Sequence, residues 1–361
     1  MKGEKKKIFI IGYSENKGGV EQYIALIANN LSKKKFHIYY SLPIMDIDGK
    51  RWVRPLNRHN YFKYYFFWKR FFKENHFDAV YYNTCDIVSI DMLKFAKYAG
   101  IPIRIIHSHS SSNQRKLNIW HKYEEKKNRK NLKKYATHLF ACSKVAGEWM
   151  FGQATNYKII DNAIEVSKFQ YQLEKRLQGR RELNIMQEFV VGMVGRLSNE
   201  KNPEFGVNVF SSLHKKIGNA KLLMVGDGER RNNIQSMIDV YNFEGNIQLL
   251  GVRDDIDKIM SVMDCLLLPS KFEGFPFVMI EAQAAGLPCI VSDSISRETD
   301  LTGNVHFVGL DEPFEVWAQK IIDVGIAKDR ENGAKVLKEK GYDISDNIDY
   351  IERILLNEEN L

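Results

Sequence analysis

Two carboxylates, Glu273 and Glu281, stand eight positions apart in the stretch Pro269–Gly286, PSKFEGFPFVMIEAQAAG, with a Gly-x-Pro turn between them. So spaced they suit either acid–base work or the holding of neighbouring hydroxyls, because an ionised carboxylate is an acceptor on both oxygens. Two cations, Arg196 and Lys201, follow the apolar run Phe189–Gly195. An arginine offers directional hydrogen bonds and a lysine a compact charge, a combination that fits a diphosphate, although two cations in one turn are also ordinary on a wet surface. Gly18 and Gly19 lie where a first apolar run gives way to a helical pattern. Glycines there let backbone N–H groups approach an anion at a helix N-terminus, or simply make the turn. His109 sits in the block His-Ser-His-Ser-Ser-Ser at 107–112. Asp46-Ile-Asp48 has a spacing used by metal sites but lies in a loop and reads as incidental, so no metal is expected.

The elements that must position these groups follow one grammar. Buried strands are predicted at Lys7–Gly12, His37–Ser41, Ala79–Tyr82, Ile103–His107 and His138–Ala141, then at Phe189–Gly195, Lys221–Val225, Ile247–Leu250, Cys265–Leu268, Pro288–Val291 and Val305–Val308. Helical patterns separate them, including 20–32 and 278–285, which is the alternation of doubly wound parallel sheets. Ligands of such sheets bind outside the carboxyl ends of the strands, where the turns carrying Arg196, Lys201 and Glu273 begin. With 361 residues, two domains are expected: 1–170, and 171–343, with the final helix, about 344–361, packing back on the first.

The net charge of +8 conceals a split. Residues 1–180 hold 34 Lys and Arg against 15 Asp and Glu, and the remainder 19 against 30, so the halves carry +19 and −11. The first half is expected to seek an anionic surface, nucleic acid or membrane phospholipid. Two segments concentrate this character. Tyr61–Lys73 interleaves nine aromatics with four cations; it reads equally as a membrane-interface helix and as a core helix with lysines on its wet side. Arg115–Lys134 is dense in Lys and Arg and reads first as a solvated helix face. The four cysteines, Cys85, Cys142, Cys265 and Cys289, are scattered, which disfavours a disulfide framework or a zinc site and favours a reducing compartment. No run approaches the ~20 apolar residues of a spanning helix, and the N-terminal apolar run is too short for a signal peptide. A cytoplasmic protein is expected.

Taken together and in this order, Gly-Gly-Val-Glu at 18–21, His-Ser-His at 107–109, Ala-Cys-Ser at 141–143, Asn-Ala-Ile at 162–164, Val-Gly-Arg-Leu through Lys-Asn at 194–202, Val-Gly-Asp-Gly at 225–228 and the Glu-x7-Glu pair form a specific set. The chain resembles retaining glycosyltransferases of the GT-B fold, family four (glycosyl transferases group 1), and is most similar to members from exopolysaccharide and capsule pathways. The resemblance implies two Rossmann-like domains facing across a cleft. It implies transfer of a hexose or N-acetylhexosamine from a nucleotide-diphosphate sugar, a UDP-sugar foremost, to a lipid-linked or growing polysaccharide acceptor, without metal or other cofactor. Arg196 and Lys201 would bind the diphosphate, Glu281 the ribose and Glu273 the donor sugar. Gly274, Phe275 and Pro276 would line the sugar pocket with backbone groups, and Gly18 and Gly19 would face the diphosphate. His109 would bond a sugar hydroxyl. The family often has Gly where this chain has Ala163.

For a polyprenyl-diphosphate-linked acceptor, the basic first half implies peripheral attachment to the inner membrane leaflet. A non-hydrolysing nucleotide-sugar epimerase shares the architecture but would lack the Glu-x7-Glu pair in this setting. A sugar-nucleotide sensor without catalysis and a nucleic-acid-binding protein are the alternatives of another class, the latter disfavoured by the acidic second half.

Overall fold

The computed structural model describes residues 4–12, 19–41, 51–52, 60–110, 117–273, 275–326 and 329–358. Residues up to 162 contribute strands β1 (Lys6–Ile11), β2 (Phe36–Tyr40), β3 (Arg51–Trp52), β4 (Ala79–Thr84), β5 (Ile103–Ser108), β6 (His138–Ala141) and β7 (Lys158–Ile159). Their helices are α1 (Gly19–Asn30), α2 (Tyr61–Asn75), α3 (Asp91–Tyr98), α4 (Ile119–Tyr135) and α5 (Lys144–Phe151). Then come α6 (Val166–Phe169), α7 (Leu173–Glu182), β8 (Phe189–Val194), α8 (Pro203–Ile217), β9 (Ala220–Val225), α9 (Arg231–Tyr241), β10 (Ile247–Gly251), α10 (Ile256–Val262), β11 (Cys265–Leu268), α11 (Phe277–Ala284), β12 (Cys289–Ser292), β13 (Val305–Val308), α12 (Phe314–Val324) and α13 (Asn332–Glu339). The closing helix is α14 (Ile344–Leu356).

Two units result, residues 1–162 with 344–361, and residues 163–343. The first crossing thus falls at 162/163, where the sequence places it at 170/171. The intervening residues pack with the second unit because Val166 and Phe169 of α6 are buried and α6 lies against α10, α11 and α13. Each unit is a doubly wound α/β sheet. The first has strand order β3-β2-β1-β4-β5-β6-β7 and the second β10-β9-β8-β11-β12-β13, with every pairing parallel. Helical layers bury both faces, so the central strands read as near-continuous apolar runs; all four residues of β11 and of β12 are buried. β3 and β7, at the two edges of the first sheet, are two residues long and leave no periodicity to read.

In the first unit, α2 combines the two readings of its sequence. Tyr64, Trp68 and Phe72, four positions apart, are buried and pack with Phe9 of β1 and Phe77, while Tyr61, Phe62 and Phe66 are exposed. Burying a side chain of the size of Phe72 contributes about 1.5–3 kcal/mol, so the three rings anchor the helix through one face and leave the other exposed. The α4 lysines Lys122, Lys126, Lys127, Lys130, Lys133 and Lys134 are exposed, as a solvated face requires, and Glu125, Asn128 and Leu132 are turned inward. α14 is fastened by Glu352, which accepts from the Ser32 amide at 2.7 Å and the Lys35 ammonium at 2.6 Å.

Candidate active site

In the second sheet the strand order reverses between β8 and β11, and their carboxyl ends open a crevice of the kind where α/β sheets take ligands. A recess of about 20 Å³ lies there, lined by residues 193–197, Lys201, Pro203, Leu267 and Leu268. The turn from β8 to α8 carries Arg196 and Lys201 and is held by the next βα turn. Gly226 (φ +131°) lies so close that an added Cβ would sit 1.9 Å from the Gly195 carbonyl oxygen, and one on Gly228 would meet the Leu197 oxygen at 2.4 Å. The Leu197 amide donates to the Asp227 carbonyl at 3.0 Å, and the Arg230 amide to the Leu197 carbonyl at 2.9 Å. Asn202, in the left-handed region (φ 55°), precedes Pro203, whose missing N–H costs nothing at the first helical position. The Val-Gly-Arg-Leu and Val-Gly-Asp-Gly segments are therefore two faces of one packed turn.

Across the switch point, Lys201 Nζ forms an ion pair with Glu273 Oε1, and both side chains are mostly buried. The Ser270 hydroxyl donates to the same oxygen at 3.1 Å. The Ser270 carbonyl in turn accepts the hydroxyls of Ser292, at 2.5 Å, and Ser294, at 2.8 Å, so the end of β11 is tied to the end of β12. The Lys271 amide donates to the Glu200 carbonyl at 2.8 Å and its ammonium to Asn199 Oδ1 at 2.8 Å, joining the two turns. The Ser198 hydroxyl, first among several partners, holds the Glu200 carboxyl below its ordinary range. Arg196 remains open: its Nε is 3.8 Å from Glu229 Oε2 and its side chain is 60% exposed, an arrangement that leaves the guanidinium available to an anion. Glu281 lies within α11, whose eight residues are all buried, and is itself 6% exposed. The Phe275 ring stacks on Tyr342 at 5.7 Å, and Pro276 caps α11.

In the first unit the order reverses between β1 and β4. The Tyr23 hydroxyl is 2.8 Å from that of Tyr81, which is 2.9 Å from His107 Nδ1, in a fully buried chain. The half-buried His109 ring stands over this chain, 4.1 Å from the His107 ring and 4.8 Å from that of Tyr23, with Nε2 2.9 Å from Asn83 Oδ1. Burial pushes His109 down to about 3, and burial together with His109 depresses His107 well below the ordinary imidazole range. Both rings are neutral at physiological pH.

The structure thus joins Lys201 to Glu273 and places Arg196 on the same turn and Glu281 on the following helix. His109 and Gly19 belong to the first unit, where Gly19 opens α1 and is exposed. Gly18 and Gly274, and with them Asp46 and Asp48, lie outside the described residues. Sequence reasoning did not single out Ser270, Ser292, Ser294 or Asn83. The spacing Ser-x-x-Glu at 270–273 was the available signal for the first, since a hydroxyl three residues before a carboxylate can meet it across a turn; Asn83, inside an apolar strand, was the signal for the last. Among the described residues no three metal-ligating side chains gather into a site, and no helix is long and apolar enough to cross a membrane.

Residues 175–318 match the family model described as Glycosyl transferases group 1. The chain carries a group 1 glycosyltransferase domain. That domain spans β8 through β13 and contains Arg196, Lys201, Glu273 and Glu281. Over its whole length the chain is similar to the putative glycosyltransferase EpsF of Bacillus subtilis, 28% identical with 96% of each chain covered. It is 25% identical to the amylovoran biosynthesis glycosyltransferase AmsD of Erwinia amylovora, with 80% of this chain and 81% of the relative covered. Among solved structures it resembles Anabaena Alr3699/HepE in complex with UDP-glucose, with a TM-score of 0.77, 18% identity, and 97% and 99% of the two chains covered. The fold is GT-B, built from the two doubly wound units described above.

Proposed function

We propose that the protein transfers a hexose or N-acetylhexosamine from a UDP-sugar to a lipid-linked or growing polysaccharide acceptor, with retention of configuration and without a metal, in the building of an exopolysaccharide or capsule. The observation that carries this reading is the meeting of Lys201 with Glu273 at the β8/β11 switch point, beside the open Arg196. Arg196 and Lys201 would neutralise the charge that grows on the diphosphate as the glycosidic bond breaks, the electrostatic term that usually dominates such chemistry. Glu273 would accept hydrogen bonds from donor-sugar hydroxyls and Glu281 from the ribose. Backbone groups of Gly274, Phe275 and Pro276 would border the sugar, and those of Gly18 and Gly19 the diphosphate. His109 would bond a substrate hydroxyl. No second carboxylate is assigned as a covalent nucleophile, so attack from the front face is the favoured course, the leaving phosphate taking the acceptor's proton. The UDP-glucose bound to the Anabaena relative supports the donor class, and the amylovoran pathway of the Erwinia relative supports the pathway class.

The first unit's surface supports an amphiphilic acceptor at a membrane. α2 exposes Tyr61, Phe62 and Phe66 beside Lys63, Lys69, Arg70 and Lys73. α4 exposes Ile119, Trp120 and Tyr123 ahead of its lysines. Apolar rings flanked by cations suit the interface of an anionic leaflet on the cytoplasmic side. Thermal-shift measurements against UDP, GDP and their sugars test the donor assignment, since a ligand at 100 times its Kd stabilises the native state by about 2.7 kcal/mol. A rise with UDP and UDP-sugars, followed by glycosyl transfer or slow donor hydrolysis, is expected. No shift with any nucleotide sugar would remove the assignment.

A further inference from the structure

The first unit's switch point contains a residue that the reading above leaves without a task. Asn83, on β4, is 2% exposed. Its Nδ2 donates to the carbonyls of Ile11, at 3.2 Å, and Tyr81, at 3.4 Å, so its Oδ1 is the end turned to His109 Nε2, 2.9 Å away. The space for it exists because residue 12 is glycine: at φ +119° a Cβ there would lie 2.3 Å from the Asn83 carbonyl oxygen and 2.9 Å from its Cβ. An amide oxygen only accepts, so His109 Nε2 must carry the proton. The ring is neutral, and its Nδ1 is then a bare lone pair. The His109 amide donates to the Thr84 carbonyl at 3.0 Å, and the ring packs over His107 and Tyr23, which limits its rotation.

We propose that Asn83 is a positioning residue that fixes the Nε2–H tautomer of His109 and so makes Nδ1 a hydrogen-bond acceptor for a hydroxyl of the donor sugar or the acceptor glycan. The proposal deepens the glycosyltransferase reading and rests on it for the identity of the hydroxyl. A donor imidazole would present N–H to a ligand and select oxygens that accept; the lone pair of Nδ1 selects hydroxyls that donate. His107 plays the supporting part below: its Nδ1 ends the buried chain that runs through the Tyr81 and Tyr23 hydroxyls, and its buried Nε2 has no hydrogen-bond partner among the described residues.

Long-range proton–nitrogen NMR correlations on the full chain labelled at histidine nitrogen read the tautomer directly, with His109 assigned by its loss in His109→Gln. The Nε2–H form is expected in the wild type. Asn83→Leu should let His109 populate both tautomers and lower kcat roughly 10- to 100-fold, by analogy with the loss of a partner that orients a metal-bound imidazole, while UDP affinity changes less than about twofold. Asn83→Asp, which keeps an acceptor for Nε2–H, should keep the tautomer and recover part of kcat. A wild-type Nδ1–H form overturns the proposal, and so does a folded Asn83→Leu with unchanged tautomer and kcat. If Asn83→Leu does not fold, the wild-type spectrum and Asn83→Asp decide. Because the tautomer is read without substrate, its failure is distinct from failure of the glycosyltransferase reading, which would appear as absence of turnover with a wild-type tautomer as expected.

Discussion

Replacing Glu273 by Gln should separate the two jobs assigned to the switch-point crevice. In the free protein Lys201 is paired with Glu273, and a diphosphate must draw the ammonium away from that carboxylate or share it. Glu273→Gln removes the competing charge while keeping the shape and the hydrogen bond from Ser270. A hydrogen bond to a charged group is worth about 1.5–3 kcal/mol, of which a glutamine recovers part, so relief of roughly 1.4 kcal/mol, or about tenfold tighter binding of UDP, is expected. Turnover should move the other way, falling about 100- to 1,000-fold, the range for losing one preorganised group that acts on the transition state. Lys201→Met removes the cation itself and should weaken UDP binding and turnover together. Titration calorimetry with UDP and a coupled assay of UDP release from the donor give the two readouts. The opposite pattern, Glu273→Gln weakening UDP as much as Lys201→Met does, would mean that Glu273 holds the nucleotide and not the sugar. That result would refute the division of labour.

The depressed histidines should make the first unit lose stability in acid. With a folded value of about 3 and an unfolded one near 6.5, His109 takes up its proton only on unfolding between those values; stability is therefore complete above pH ~6.5 and lost as pH falls, by about 2 kcal/mol at pH 5, with His107 adding in the same direction. Denaturant unfolding at pH 7 and pH 5 should show this loss, and His109→Gln should shrink it by about that amount; a slope unchanged in the variant would count against the assignment. Sedimentation with vesicles should show binding that needs anionic lipid and fades with salt, and Phe62→Ser with Phe66→Ser should weaken it by at least about tenfold, since each ring left out of the interface forfeits up to about 1.5–3 kcal/mol and about 1.4 kcal/mol is already a factor of ten; binding indifferent to lipid charge would remove the docking surface. Gly226→Ala places a Cβ 1.9 Å from the Gly195 oxygen at φ +131° and should cost about 2–4 kcal/mol by denaturant midpoint, whereas Gly245→Ala, with nothing within 4 Å, should cost little.

What could be read in the sequence and what could not divide along a physical line. The charged groups of the candidate site stand on turns, and turns leave marks: glycine at 195 and 226, where φ is positive, the Asn202–Pro203 step that starts α8, and Pro276 just before α11. Those marks place Arg196, Lys201 and Glu273 at strand ends, and the apolar runs of β8, β11 and β12 place the strand ends at one edge of one sheet, so the gathering of these three side chains at that edge was legible in the sequence. Aromatic-rich α2 was legible only as an ambiguity, because period and composition are the same for a core helix and an interface helix; the contacts of Trp68 and Phe72 with Phe9 assign one face to the core, and the exposure of Phe62 and Phe66 leaves the other unassigned. The supporting residues were hidden for a different reason. Ser292 meets Ser270 across 22 residues and Asn83 meets His109 across 26, and each pairing exists because two strands far apart in sequence end side by side. Which strand ends lie side by side is set by sheet topology, which no local pattern encodes. A polar residue inside or at the end of an otherwise apolar strand is its one local trace, since burying an amide or hydroxyl without a partner costs about 1–3 kcal/mol. Asn83 at the carboxyl end of β4 and Ser292 at that of β12 both carry that trace, and both are found bonded to the groups proposed to meet substrate or to the turn that holds them.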